Sequence, residues 1–399
     1  MTDFFPDGYV SDGSISYQTQ LQEALDAAGE GGKRIVFPAM IYLITDEAGL
    51  KVHSGQTLVL DGARFIFPVD CDEDGQVFRG ENVQDVRFIG GEIVGRYDVW
   101  PAGVNIRGIY LTGDCQRIRV EKMYLHDLTS NGVGVFGKSE AEPARDVWIT
   151  DTIIDHCCNV YGDYMAPKGE LHGPEKGSQR EDQGSVALYY VNSFQVRGCR
   201  MDRSRSDGTH FYHCQGGQIC RNQINRSKMG GFFLEGCRDV LASDNIILQN
   251  GSRGCTIERG SHNCTLNGNL VEESGREGLW IPDSTYCVVT NNIFRRNGRK
   301  PNGSEPRQRW NANITINESS HDPSETTATH CVFSGNLIES TKDQIAAIRL
   351  NLTEKSRKMV LMNNIFTGER TDVMIEGEGE VIQQGNIPSQ QPLIIPAVK

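Results

Sequence analysis

The sequence has no surplus of basic residues, few prolines and no long apolar run. It carries 40 Lys and Arg against 52 Asp and Glu, for a formal charge of −12 and an isoelectric point near 5.3. That balance argues against a general nucleic-acid or membrane-surface binder, because both need a basic face. No stretch approaches the roughly 20 apolar residues of a membrane-spanning helix. Residues 1–15 (MTDFFPDGYVSDGSI) lack the basic start and apolar centre of a signal peptide. The expected location is therefore cytoplasmic, or secreted if a leader has been removed. Cys-x-x-Cys is absent, which argues against a zinc site of that spacing. The 14 prolines stand against 44 glycines, a ratio suited to many tight turns.

The chain has an internal repeat instead. DGTHFYHC (207–214), GGFFLEGC (230–237), RGCTIERG (253–260) and EGLWIPDS (277–284) follow one pattern, and their glycines Gly208, Gly231, Gly254 and Gly278 lie 23, 23 and 24 residues apart. A second column repeats Asn followed by Ile or Leu at Asn245, Asn269, Asn292, Asn336, Asn364 and Asn386, with Gln223-Ile224 as a conservative start. One residue type at one phase implies side chains stacked coil on coil, each amide donating to one neighbour and accepting from the other. A period near 23 with three short strand-like segments predicts a single all-β solenoid, a right-handed parallel β-helix spanning 1–399. The leucine-rich frame L-x-x-L-x-L-x-x-N is missing.

The twelve cysteines fit reduced stacks in that core, Cys214 and Cys237 in one phase and Cys220, Cys264, Cys287 and Cys331 in another. Residues 16–29 place Tyr17, Leu21, Ala24, Leu25 and Ala28 on one helical face, a cap for the exposed first coil. Early coils of irregular length follow from Arg34. NGVGVFG (131–137) spells G-x-G-x-x-G, but no helix pattern follows, and its glycine is in phase with Gly208, so it reads as another coil. The phase breaks at 155–185 and at 295–310, two insertions expected to wall one groove.

Counting outward from each glycine, positions one and three are apolar or small and face the core, so positions two and four face outward. This places Tyr212, Glu235 and Glu258 as stacked neighbours, with adjacent coils about 4.8 Å apart. Paired carboxylates at strand spacing repel, and a purely structural sheet would avoid them or interleave a cation. Retaining glycosidases need two carboxyl groups about 5 Å apart, one held protonated by its neighbour's charge. Asp207, Glu277 and Asp283 flank the pair, and the acidic groove they form has room for a divalent cation such as calcium, although no cofactor is required. Tyr189, Tyr212, Phe233 and Trp280 would offer flat faces to sugar rings. Arg205, Lys228, Arg253 and Arg276, beside Arg203 and Arg226, would form a row suited to an anionic group such as a uronate or sulfate. His210 and His213 are candidate bases.

The glycine-led coils, the Asn-Ile/Leu ladder and the helix followed by GGKRIVFPAMIYLI resemble the pectate lyase superfamily of right-handed β-helices. That superfamily includes pectate lyases, polygalacturonases, the alginate lyase and chondroitinase B family, alginate epimerases, fructan-cleaving enzymes and phage tailspikes. The resemblance implies the fold along nearly the whole chain and a poly- or oligosaccharide partner. It transfers no catalytic motif: the polygalacturonase set N-T-D, D-D, G-H-G and R-I-K is missing from the central coils, with Gly208-Thr209-His210 only echoing G-H-G. CTIERGSHNCTLNGN (255–269) lacks the Glu-x-Glu and Lys of the chondroitinase B family. The leading expectation is glycoside hydrolysis, with Glu235 and Glu258 as the acid and nucleophile, Asp207 or Glu277 as modulator and His210 tuning protonation. Two alternatives remain open. One is a polysaccharide lyase using Tyr212, His210, Lys228 or Arg253 as base, and the other is a non-catalytic glycan-binding or tailspike-like module, either of them possible as a homo-oligomer.

Overall fold

The computed structural model describes residues 1–100, 104–158, 183–301, 310–317, 327–389 and 393–395. Most of the first insertion, 159–182, and half of the second, 302–309, lie outside the described residues. What is described trims their ends. Asp155 closes the strand Ile153–Asp155, and Arg295 closes Ile293–Arg295, so both belong to regular coils.

The chain is an all-β, right-handed parallel β-helix with one short helix near its N-terminus, Gln18–Ala28. The helix buries Leu21, Ala24 and Leu25, and Gly29 ends it with φ of 59°, a conformation that costs glycine little. Gln56 completes the stop by donating to the Leu25 and Gly29 carbonyls at 2.8 and 3.2 Å.

Two compact units divide the chain, Met1–His210 and Phe211–Lys399. In the first, every third strand pairs in parallel. One sheet runs from Arg34–Val36 to Val191–Arg197, a second from Ile41–Leu43 to Arg200–Asp202, and a third from Leu50–Lys51 through Gly75–Glu81, Ile106–Thr112 and Val133–Phe136 to Val186–Tyr189. Its early core is aromatic, with Phe37, Phe65, Phe78 and Phe88 packed at centroid distances of 5.0–6.4 Å.

The second unit repeats the scheme. Its third sheet holds Phe232–Glu235, Cys255–Glu258, Leu279–Trp280, Ala312–Asn317, Ala346–Leu352 and Val373–Gly377 in that order. Its second sheet sends Ile224, Ile247, Val271, Phe294, Ile338 and Phe366 inward in register, all buried. Each such side chain contributes about 1.5–3 kcal/mol on leaving water.

The asparagine ladder is present and one rung longer than the Asn-Ile/Leu pattern indicates. Each Nδ2 donates to the next Oδ1, from Asn222 through Asn245, Asn269, Asn292, Asn336 and Asn364 to Asn386, at 2.8–3.1 Å. The first rung is Asn222, not Gln223, because Gln223 pairs with Ile246. The residue before each rung turns left-handed, at Arg221, Asp244, Gly268, Asn291, Gly335, Asn363 and Gly385, and all but Arg221 are residue types that tolerate positive φ. The repeat glycines have a different cause. A methyl on Gly254 would stand 2.6 Å from the Gly278 carbonyl, and one on Gly278 would stand 2.8 Å from that of Asn313. The coils pass too closely there for a Cβ.

All twelve cysteines are free thiols. Cys264, Cys287 and Cys331 precede successive in-register strands, but Cys220 pairs with Ser243 in another column, so it does not share their phase. Burial pushes the Cys115 thiol up to about 11 and Cys199 to about 12, which makes both poor nucleophiles.

Candidate functional site

The third sheet of the second unit carries the expected acid pair. Register sets Phe233 against Thr256 and Glu235 against Glu258, and Thr256 in turn against Trp280. Tyr212 belongs one coil earlier, since the His213 amide donates to the Glu235 carbonyl at 2.7 Å. The alternation therefore points as expected, with Phe232 and Leu234 inward. The outward positions are nonetheless not open to solvent. Phe233, Glu235, Thr256 and Trp280 are 7, 1, 0 and 8% exposed, while Glu258 and Tyr212 are half-buried.

A cation stands on one member of the pair. Arg259, the residue after Glu258, adopts left-handed φ of 55° and brings Nε to 2.5 Å from Glu235 Oε1. An arginine at that distance favours the ionised carboxylate. Asp283 is buried, and its Oδ1 accepts from the Gly260 amide at 3.5 Å, so it braces the turn that follows Arg259.

The arginines do not form a row. Hydrogen bonds of Gly231 to the Arg253 carbonyl and of Gly254 to the Glu277 carbonyl put Gly230, Arg253 and Glu277 in one column. Lys228 is instead beside Gly251. Arg253 and Arg276 converge on Oε2 of the buried Glu277, at 3.3 and 3.4 Å. Arg253 lies 3.6 Å over the Trp280 ring, and Arg276 lies 4.5 Å over Trp310. Trp280 thus offers one face to an arginine rather than both to a ligand.

Tyr189, Asp207, His210 and Arg205 belong to the first unit. His210 is buried with Nδ1 3.4 Å from Asp207 Oδ2, and its ring lies 5.5 Å from Tyr189. Phe136 and Tyr110 continue that run at 5.3 and 5.4 Å, and Arg107 lies 4.8 Å over Tyr110. Tyr110 and Phe136 were legible in principle, at positions two and four after Gly108 and Gly132.

A second cluster of the first unit carries no sequence signal, because it joins strand ends to turns. His126 sends Nδ1 to Asp127 at 2.7 Å and Nε2 to Glu92 at 3.0 Å, and His156 Nδ1 reaches the other Asp127 oxygen at 2.8 Å. Burial would lower His126, but the two carboxylates outweigh it and hold the imidazolium above its usual range. Burial likewise opposes, and the two imidazoles overcome it, in holding Asp127 well below the usual carboxylate range. Arg205 lies 5.5 Å over Tyr97, whose ring meets His156 at 3.8 Å.

No group of three or more His, Cys, Asp or Glu side chains among the described residues is arranged to hold a metal ion. No helix among them is long and apolar enough to cross a membrane.

Comparison with solved structures finds the same fold at low identity. The A-module of mannuronan C-5 epimerase AlgE4 from Azotobacter vinelandii is 13% identical over 98% of both chains, with a TM-score of 0.67. The Dettilon tailspike protein is 13% identical over 98% of this chain and 67% of its own, TM-score 0.61. An exopolygalacturonase from Thermotoga maritima is 13% identical over 96% and 91%, TM-score 0.52. No curated protein sequence matches. The family model described as "Periplasmic copper-binding protein (NosD)" matches residues 174–392, more than half of the sequence. With that match on the repeat coils, the chain belongs to the NosD family.

Proposed function

We propose that this protein is a carbohydrate-active β-helix that hydrolyses glycosidic linkages of an oligo- or polysaccharide. One observation carries the reading. Glu235 and Glu258 are in-register neighbours on adjacent coils, and Arg259 stands on Glu235. The pair is thereby asymmetric: Arg259 favours ionised Glu235, and a second ionisation beside that charge is disfavoured. Half-buried Glu258 is then the proton donor to the leaving oxygen, and Glu235 the carboxylate that attacks the anomeric carbon. Strand spacing of about 4.8 Å fits the short separation of retaining enzymes. The Arg259 side chain is 42% exposed and can swing out to admit a sugar to buried Glu235. Solved structures of this fold include an exopolygalacturonase and a tailspike in complex with a pentasaccharide, which supports a saccharide partner.

The same arginine favours a second reading, a non-catalytic glycan-binding module, because a cation paired with one of two stacked acids is what a structural sheet needs. Turnover separates the two. Hydrolysis predicts new reducing ends that vanish in Glu235→Gln and Glu258→Gln, whereas a binding module shows no turnover and retains its ligand in both variants. The family description names copper, but the described residues do not fit that ion. They bring no metal-holding group together, and Cys237, Cys264, Cys287 and Cys331, the thiols a soft metal would favour, are buried in the core.

A further inference from the structure

A groove of about 590 Å³ opens at the turn edge of the second unit, lined by Glu273, Arg296, Gly298, Lys300, Asn311, Thr341 and Asp343 among others. It is built where residues 298–300 run beside 274–276. The Gly298 amide donates to the Arg276 carbonyl at 2.7 Å and the Lys300 amide to that of Gly275 at 2.6 Å. Its cations are unequally satisfied. Arg296 is engaged by Glu272, Glu273 and Glu339, and Arg299 lies 3.8 Å from Glu273. Arg276 shares the carboxylate of Glu277 with Arg253. Lys300 makes no ion pair among the described residues. The end of its stem folds over Gly275, where an added methyl would stand 3.2 Å from Cε.

We propose that this groove binds an oxyanion, the carboxylate, sulfate or phosphate of a ligand, held by Lys300 with Arg276 behind it and by the hydroxyl of Thr341. The site lies at the coil edge rather than on the outward face that carries Glu235 and Glu258, and it does not depend on hydrolysis there. Burial, together with the like charge of Arg276, holds the Lys300 ammonium below its usual range. An arriving anion relieves that repulsion and pulls the ammonium back up. The charged groups around it are Arg276, Arg296 and Arg299 on one side of the balance, with Glu273 and Asp343 and the arginines' partners Glu272, Glu277 and Glu339 on the other. Asp343 opposes an anion and limits how many charges the groove accepts.

The test titrates the full chain with inorganic sulfate, inorganic phosphate, digalacturonate and the carboxyl-reduced neutral disaccharide, with the Lys300 resonance and calorimetry as readouts. Sulfate or phosphate binding identifies a free-anion site, and digalacturonate binding without either identifies an acidic-saccharide site. Loss of one charge-assisted hydrogen bond weakens binding in Lys300→Gln by about tenfold or more. Asp343→Asn tightens it, added salt weakens it, and the Lys300 titration moves upward with ligand bound. Lys355→Gln, at an exposed turn lysine, binds as the parent does. The proposal is overturned if no anion binds, if Lys300→Gln binds as the parent does, or if the neutral disaccharide binds as tightly as the acidic one. Binding of the neutral sugar alone would refute this site while leaving the hydrolase reading intact.

Discussion

Replacing one middle rung of the asparagine ladder is the sharpest test of how the second unit is held together. Asn269 is 1% exposed and its side chain makes four hydrogen bonds. Its Oδ1 accepts from the Asn245 amide at 3.0 Å and from Asn245 Nδ2 at 2.8 Å, and its Nδ2 donates to the Ala242 carbonyl at 3.0 Å and to Asn292 Oδ1 at 2.9 Å. Asn269→Ala strips partners from two donors and two acceptors in a dry core. A buried orphan costs about 1–3 kcal/mol, and some of the four regain water or a neighbour, so the expected loss is about 3–5 kcal/mol. The last rung, Asn386, is 7% exposed and donates to the Leu361 carbonyl rather than to a further rung, so Asn386→Ala should cost about 1–2 kcal/mol. Urea unfolding followed by far-ultraviolet circular dichroism reads both, with an unchanged m-value required for the comparison. A loss under about 1 kcal/mol for Asn269→Ala, or equal losses at both sites, would refute a continuous buried ladder.

Three further perturbations follow from the same geometry. Gly254→Ala forces a methyl against Val271 and the Gly278 carbonyl, and overpacking of this kind should cost about 1–3 kcal/mol in urea unfolding; an unchanged midpoint would show that the coils can part. Glu277→Gln leaves Arg253 and Arg276 facing one another without their shared carboxylate, so thermal unfolding should fall by the equivalent of about 2–4 kcal/mol. The His126 cluster makes stability pH-dependent in two directions. The raised imidazolium stabilises fully below its ordinary value of about 6.5 and loses that contribution as pH rises through its folded value. The depressed Asp127 stabilises above its ordinary value of about 3.9 and loses that contribution as pH falls. Melting temperature should therefore peak between about pH 4 and 6.5, and His126→Gln should flatten the alkaline side. An alkaline limb of the same slope in that variant would place the titration elsewhere.

The fold was legible because a solenoid writes its coil period into the sequence. Gly231, Gly254 and Gly278 recur where neighbouring carbonyls leave no room for a Cβ, and the ladder asparagines recur because each completes the next one's hydrogen bonds. The first rung was misplaced by one residue because Asn222 is followed by Gln rather than by Ile or Leu, although the packing at Ile224 is unchanged. Phase also gave the direction of Glu235, Glu258, Phe233 and Trp280. It did not give their burial. Alternation says which way a side chain points, not what lies over it, and Arg259 and Arg253 reach these positions from beside the strands through side-chain contacts that no repeat pattern predicts. The expected row of Lys228, Arg253 and Arg276 failed for a related reason. Their spacing in sequence is near one coil, but a residue or two of slip in the turns sets Arg253 against Glu277 and makes an ion-pair cluster of what read as a basic edge. The His126, Asp127 and His156 cluster joins residues about one coil apart in irregular coils, and no motif announces it.

The most direct measurement of the central claim is turnover of a panel of neutral and uronate-containing glycans by the parent protein, Glu235→Gln and Glu258→Gln. Reducing ends and the ultraviolet absorbance of unsaturated uronates are followed together. The account predicts reducing ends without absorbance in the parent, lowered by about a thousandfold or more in each variant, as expected when one member of a catalytic pair is removed. Absorbance rising together with reducing ends would transfer the reaction to elimination with Tyr212, Lys228 or Arg253 as the base, and turnover unaffected in both variants would contradict the assignment of the pair.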